Sequence, residues 1–497
     1  MTSILFIFYW IDIKSVFVFL AVFLLIYDFI KNKRPKNFPP GPRPLPFIGN
    51  LHHLDFNNIH LQFSEFAETY GDIFSIQFIG PWVVVLNGHK LVREAYVLQG
   101  ENFVDRPSLP VFEDLVGHNG VVASNGYSWK QQRRFALHTL RNFGLGKRSL
   151  EPSILQECRY LNEAFANEQG KPFDPQWLIN NAVANIICLL VFGERYEYSS
   201  DEFQSLLKNI NEGVLLEFGI WSQLYNMFPW LFRRVPGPHR RLFHVWKEVI
   251  DFVKKIIEDH RVDCDPSSPR DYIDCFLAEM GKWKDDEASG FDIENLCFCT
   301  LDLFVAGTET TSTTVYWALL YMIAYPEIQR KVQEELDQVV GSSRQPSLAD
   351  RESLPYTDAV IHEIQRFGNI IPLNLARCTT KETQIGDYTI PKGTMVMGNL
   401  TSVLFDETEW ETPHTFNPGH FLDAEGKFRK REAFLPFSIG KRVCLGEQLA
   451  RMELFLFFSS LLQRFSFSPP LGVEPSLEFR FGITRTPHPY QLCAIPR

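Results

Sequence analysis

The longest unbroken apolar pattern opens the chain. From Ile4 to Ile30 nearly every position is apolar, interrupted by Asp12, Lys14 and Asp28. The clean stretch Ser15–Tyr27 makes about 20 Å of helix, short of a bilayer crossing, and Ile4–Ile11 lengthens it to about one crossing at 1.5 Å per residue. Lys31, Lys33, Arg34 and Lys36 follow where a cleavable leader would carry small residues. Residues 1–30 are therefore expected to stay as a single membrane anchor, with the body on the basic, cytosolic side. An interfacial helix or a cleaved leader is the alternative. Phe38-Pro-Pro-Gly-Pro-Arg-Pro-Leu-Pro46 cannot be helical, and residues 31–47 read as a basic, proline-rich linker ending in a strut that holds the body off the membrane. Beyond it there is no low-complexity break or repeat, so 48–497 is treated as one unit.

Within that unit, period-2 alternation over Asp72–Phe78, a Gly80-Pro81 turn and the run Trp82–Leu86 predict paired strands. A second β region flanks Gly386-Asp387 and Pro391-Lys392-Gly393 and continues through Met395–Met397, and the tail Phe479–Pro496 is also extended. Helical periodicity marks Asp292–Tyr325, Pro326–Val340 and Leu445–Phe465, with Pro326 suited to the first turn of a new helix. The expected architecture is mostly α with a minor β lobe, because strands and helices do not alternate.

Composition narrows the function. The chain of 497 residues is 45% hydrophobic and 22% charged, which excludes a disordered or polytopic membrane protein. Its 49 basic residues against 59 acidic ones give −10, so nucleic acid is not an expected partner. The nine cysteines are odd in number and lack a framework spacing, which favours a reducing compartment. Aromatic residues reach 14%, in keeping with a large apolar interior.

One cysteine stands apart. In Phe437-Ser-Ile-Gly-Lys-Arg-Val-Cys-Leu-Gly446, glycines 440 and 446 bracket Cys444 where a chain bends sharply or something flat comes close. A helix follows directly, so its N–H groups and dipole favour a thiolate. Phe437 can shield the sulfur, and Arg442 offers a positive charge nearby. No second ligand stands close enough in sequence for zinc, which wants four. A lone strong donor suits the axial position of a haem iron.

This segment resembles the haem-binding signature of the cytochrome P-450 superfamily, and further motifs are similar to that family's across the whole chain. The resemblance implies the P-450 fold and haem b (iron protoporphyrin IX) with Cys444 as its metal ligand. It also implies monooxygenase chemistry drawing on O2 and on electrons from NADPH through NADPH–cytochrome P-450 reductase, with cytochrome b5 as a second donor. Ala306-Gly307-Thr308-Glu309-Thr310-Thr311 interrupts an apolar helix. Taken alone it is a kink or a packing notch; by resemblance Thr310 and Glu309 form the proton relay and Ala306 lies beside the haem. Glu363 and Arg366, one helical turn apart, resemble the family's buried structural pair, with His420 where an arginine is commoner, which leaves the charge state of that triad open. Trp129 and Arg133 share a helix face, and with Arg106, Arg377 and Arg442 they align with haem-propionate partners in similar proteins; Phe437 completes the cofactor set. Lys130, Arg134, Arg141, Lys147, Lys441 and Arg451 match basic positions used for reductase docking.

No glycine-rich dinucleotide turn and no P-loop occurs, so electrons are expected from outside. The expected substrate pocket is apolar, with Val111, Phe112, Leu115, Phe304, Val305, Ile371, Leu373 and Ile483 in its walls. The texture resembles family 2 of the vertebrate cytochromes P-450. Phe479-Arg-Phe-Gly-Ile-Thr484 is similar to its J-type subfamily, whose members oxidise polyunsaturated fatty acids such as arachidonic and linoleic acid. That implies lipophilic substrates, xenobiotics among them, and the endoplasmic reticulum membrane. A reductase-independent lipid-peroxide isomerase and a non-catalytic membrane haem-binding protein are the rival readings.

Overall fold

A computed structural model describes residues 13–78, 80–144 and 149–497. Ile4–Ile11, Asp12 and Lys147, which carried expectations above, lie outside the described residues.

The molecule is organised by the helix Ile293–Ala324. The Asp292 side chain caps its first turn by accepting from the Asn295 N–H at 2.8 Å, and it stops where Pro326 opens the next helix, Pro326–Val339. Apolar on nearly all sides, it runs through the main core and packs against Gln176–Val191, Glu447–Arg464 and Pro355–Gly368. Both expected helices here are found to within one residue at each end.

The β lobe is small. Strands β1 (Ile73–Gln77) and β2 (Trp82–Leu86) pair antiparallel, with Ile73 opposite Leu86. Further along come β3 (Arg377–Cys378), the hairpin β4 (Thr383–Ile385) and β5 (Tyr388–Ile390), and β6 (Met395–Gly398), which lies parallel to β2 and antiparallel to β3. The extended tail contains three strands. The first two, β8 (Phe479–Phe481) and β9 (Arg485–Pro487), form a hairpin; β10 (Cys493–Pro496) pairs with β7 (Phe465–Ser468).

The amino-terminal helix spans Ile13–Lys31, and among the described residues no helix is long and apolar enough to cross a membrane. Its end is docked on the body: Asp28 accepts from the Phe47 N–H at 3.1 Å, and the Asn32 carbonyl accepts from the Trp82 indole at 3.1 Å. The proline-rich segment is not a free strut. Phe38 is buried against Trp82, and the Pro39 and Pro40 carbonyls accept from Ser75 Oγ and Ser75 N at 2.7 and 2.6 Å. Gly41 is required by this contact, because a Cβ there would lie 1.9 Å from the Ser75 oxygen.

Candidate active site

Cys444 sits in a tight loop whose end, Gly446, begins the helix Glu447–Arg464. The Cys444 N–H donates to the Phe437 carbonyl at 3.0 Å and the Val443 N–H to that of Gly440 at 3.1 Å. Gly440 has φ +84°, and a Cβ on it would stand 1.8 Å from the Tyr96 carbonyl oxygen. That glycine is demanded by the protein's own backbone, whereas a Cβ at Gly446 would meet no protein atom within 4 Å. Cys444 is accessible although protein atoms crowd around it, so its open side faces an interior space. Burial pushes its thiol up; the N–H groups of Gly446 and Glu447, together with Arg133, pull the other way.

Around this loop gather four arginines. The Arg442 guanidinium lies 3.8 Å from the Trp129 ring centroid and donates to the carbonyls of Val104 and Ser124 and to the Asn125 side chain. Arg106 donates to the carbonyls of Val122, Leu375 and Ala376. Arg133 reaches the Val443 carbonyl at 2.5 Å. Arg377 lies over the Tyr96 ring at 3.6 Å and donates through Nη2 to Ser438 Oγ and the Ile439 carbonyl. Among the described residues none of the four forms an ion pair with a carboxylate. Burial, reinforced by mutual repulsion, pushes Arg442 down to about 8, Arg106 to about 9 and Arg377 to about 10. Arg377 Nε and Nη1 and Trp129 Nε1 are buried with no partner at all. A group of buried donors and uncompensated positive charge calls for an anion with two carboxylates.

The central helix supplies the other element. Between Asn295 and Ile323 its one exposed residue is Ala306, so a gap opens against an otherwise buried helix. Thr310 Oγ1 donates back to the Ala306 carbonyl at 2.8 Å. Glu309 Oε1 accepts from Thr484 Oγ1 at 2.8 Å and Thr313 Oγ1 at 3.4 Å, and burial pushes its carboxyl up. Gly307 is a packing notch: a Cβ there would fall 2.5 Å from Ile187 Cδ1. Asp302 caps the Val121 and Val122 N–H groups at 2.7 and 2.8 Å, tying this helix to the segment whose carbonyls receive Arg106 and Arg442.

Glu363, Arg366 and His420 do form one cluster, fully buried. Arg366 holds both Glu363 oxygens at 2.8 Å and donates to the carbonyls of Leu404, Pro413 and Thr415. Glu363 also accepts from the Asn417 N–H at 2.8 Å and from His420 Nδ1 at 3.2 Å. The Thr412 N–H donates to His420 Nε2 at 3.2 Å, so both ring nitrogens of the histidine are engaged within the cluster.

The expected pocket wall needs correction. Phe304 is 1% exposed and packs on Phe192 at 5.5 Å, two residues and some 200° around the helix from Ala306, so it belongs to the core. Val111 is buried against Tyr225 and Leu242 in a satellite core that Phe112 and Leu115 also join, because Pro110–Val116 is a helix with one face turned inward. Val305, Ile371, Leu373 and Ile483 are half-buried.

A sequence model described as "Cytochrome P450" matches residues 39–494. The chain is 54% identical over 477 residues to "Cytochrome P450 2J2" of Homo sapiens, covering 96% of this chain and 95% of that protein. It is 52% identical over 484 residues to "Cytochrome P450 2J1" of Oryctolagus cuniculus, with 97% and 96% covered, and 46% identical over 494 residues to "Cytochrome P450 2D26" of Rattus norvegicus, with 98% and 99% covered. The chain belongs to the cytochrome P450 family.

As a cytochrome P450 it is a haem-b monooxygenase of the vertebrate family 2, J-like type. The residues fit that cofactor: a solvent-open thiol beside a cluster of guanidiniums lacking a counter-charge offers a sulfur donor for iron and cationic partners for two propionates. Of the basic residues expected to face the P450 reductase, Lys130, Arg134, Arg141 and Lys441 are exposed, Lys130 and Lys441 sharing Glu101 at 4.0 and 3.0 Å. Arg451 is drawn inward, paired with Glu447 and lying over the Phe437 ring at 5.1 Å. Tyr96, Asn125 and Thr484 were missed by the sequence reasoning. They come close to the site only through chain segments far apart in sequence; no motif marks Tyr96 or Asn125, and the segment ending at Thr484 carried a family resemblance but no role for that residue.

Proposed function

We propose that this P450 epoxidises or hydroxylates lipophilic substrates, polyunsaturated fatty acids foremost and xenobiotics beside them, with Cys444 as the haem ligand. Four arginines, Arg377 and Arg442 buried and Arg106 and Arg133 half-buried, with no carboxylate paired to them among the described residues and an accessible cysteine beside them, are the observation that carries the cofactor assignment. When bound, the haem supplies oxygen activation, favoured by an electron-rich thiolate. The balance is one substrate, one O2, two electrons and two protons in, one oxygenated product and one water out.

The chain's own residues do the rest. Arg106, Arg133, Arg377 and Arg442, with Trp129, orient the cofactor through its propionates; Phe437 covers the cysteine loop. Ala306 leaves room beside the central helix. Burial pushes the Glu309 carboxyl up, which favours its taking up a proton, and Thr310 presents a hydroxyl on the same stretch of helix. Half-buried Val305, Ile371, Leu373 and Ile483 offer apolar contact to a lipid chain. Likeness to the J-type relatives supports the fatty-acid assignment.

Electrons come from an NADPH-dependent reductase, because the chain has no nucleotide-binding motif, and exposed Lys130, Arg134, Arg141 and Lys441 are its landing face, shared with cytochrome b5. The catalytic unit 48–497 sits on the cytosolic side of the endoplasmic reticulum membrane, carried by the anchor 1–30 and the linker 31–47.

Cys444→Ala tests the reading. The reduced, carbon monoxide-treated variant is expected to lose the haem-thiolate absorption band; a retained band refutes the ligand. With the reductase reconstituted, mass spectrometry of products from a mixed lipid and xenobiotic panel decides the substrate class. Hydroperoxide turnover with no NADPH would favour the isomerase reading.

A further inference from the structure

Glu309 gives up a proton in every cycle of the function proposed above and must regain one. The structure shows what it is bonded to on the side away from Thr310. Thr484, 4% exposed at the turn of the β8–β9 hairpin, donates its hydroxyl proton to Glu309 Oε1 at 2.8 Å, and its oxygen lies 2.9 Å from Thr486 Oγ1. A hydroxyl has a single proton. With that proton committed to the carboxylate, Thr484 can only accept from Thr486, so the row has one polarity: Thr486 to Thr484 to Glu309. Thr486 is half-buried on β9, two positions before exposed His488 with buried Pro487 between them, whereas Glu309 lies inside the central helix.

The hairpin that carries the two threonines is fixed to the same helix. The Arg485 carbonyl accepts from the Trp317 indole at 2.8 Å, the Arg485 N–H donates to the Ile370 carbonyl at 2.8 Å, and Arg485 Nη1 holds the carbonyls of Phe367 and Gly368. The hydroxyls therefore cannot drift away from the carboxyl as they would on a free loop. Arg480 on β8 is the charged group that acts on Glu309, and it favours the carboxylate; Thr313 adds the second hydroxyl.

We infer that Thr486 and Thr484 form the intake through which Glu309 is reprotonated in each turnover, with Thr484 also positioning its carboxyl. A solvent hydronium gives a proton to the Thr486 oxygen and is left as water, as that hydroxyl's own proton passes to Thr484 and the Thr484 proton passes to Glu309. Each threonine ends neutral, Glu309 ends protonated, and no electron moves. The inference rests on the monooxygenase reading of the site. Thr484 and Thr486 are positioning and relay residues, since neither is argued to touch substrate.

The test uses the full-length holoprotein and the variants Thr484→Val, Thr484→Ser and Thr486→Val, each checked for its carbon monoxide band and thermal midpoint. The first readout needs no turnover: infrared titration of the Glu309 carboxyl in the resting protein, assigned by Glu309→Gln. Thr484→Val removes a donor to the carboxylate, so the apparent pKa of Glu309 is expected to rise by about one unit, a tenfold shift in ionisation, while Thr484→Ser and Thr486→Val stay near wild type. The second readout is product per NADPH with the reductase present. Thr484→Val and Thr486→Val are both expected to fall about tenfold, with a larger solvent deuterium effect, and Thr484→Ser to recover most of the loss. An infrared shift with undiminished coupling in both valine variants reduces the threonines to a structural tie and overturns the intake. No infrared shift in Thr484→Val overturns the positioning. If wild type itself lacks the thiolate band or substrate-dependent NADPH use, the Cys444 reading fails, and the intake falls with it.

Discussion

Arg366 makes five hydrogen bonds, two to Glu363 and three to backbone carbonyls, with no solvent contact on either side chain. The two partners are therefore not equivalent. Glu363→Gln leaves the guanidinium with the carbonyls of Leu404, Pro413 and Thr415, which still solvate its charge. Arg366→Met leaves a buried carboxylate with only the Asn417 N–H and His420 Nδ1 as partners, and strands three carbonyls as well. Breaking a buried pair costs about 3–5 kcal/mol; the arginine variant belongs at or above the top of that range and the glutamine variant below it, at about 2 kcal/mol. Unfolding entropy of about 2.1 cal/mol/K per residue over a chain this long gives roughly 1 kcal/mol/K, so Tm is expected to fall by about 5 °C for Arg366→Met and about 2 °C for Glu363→Gln. Differential scanning calorimetry at one fixed scan rate measures both. An Arg366→Met protein within about 1 °C of wild type, or one more stable than Glu363→Gln, would refute the reasoning.

Two further predictions concern the central helix. Gly307→Ala drives a methyl into Ile187 Cδ1 and is expected to cost about 1–3 kcal/mol. Adding Ile187→Val, which deletes that carbon, should recover part of the loss; strictly additive urea midpoints would show that the two side chains do not meet. Asp302 is pushed up to about 6 by burial, against the pull of two N–H donors. Its folded form holds a proton that the unfolded chain releases near pH 4, so stability falls as pH rises from about 4 through about 6, by up to about 3 kcal/mol. Asp302→Asn is expected to flatten this part of the pH profile, and equal slopes for the two proteins in urea titrations near pH 5 and pH 7.5 would sink the idea.

Local chemistry made much of this legible in advance. The central helix could be bounded from Asp292 as a cap and Pro326 as a stop, and β2 from a bare run of branched residues, because those signals act over a few positions. The Cys444 loop and the Glu363–Arg366 pair could be found because their partners sit within one short segment. Failures came where contacts join distant parts of the chain. Gly440 reads as a sharp bend or room for something flat; the bend is there at φ +84°, and what its missing side chain makes way for is the Tyr96 carbonyl. Phe304 looked like pocket lining until the helix placed it on the opposite side from Ala306. Gly307, taken alone, allowed a packing notch, and that is what Ile187 makes of it. Thr484 stood in a recognised segment but without a role, since its partner Glu309 is 175 residues away.

The seating of Pro39, Pro40 and Gly41 along β1, with Asp28 and Asn32 pinned to Phe47 and Trp82, removes the swivel that a loose tether would give. The catalytic body and its leading helix turn as one lever, so any surface that captures the helix also dictates which way the Cys444 loop and the central helix face. Lengthening the proline segment would therefore change bearing before it changed reach.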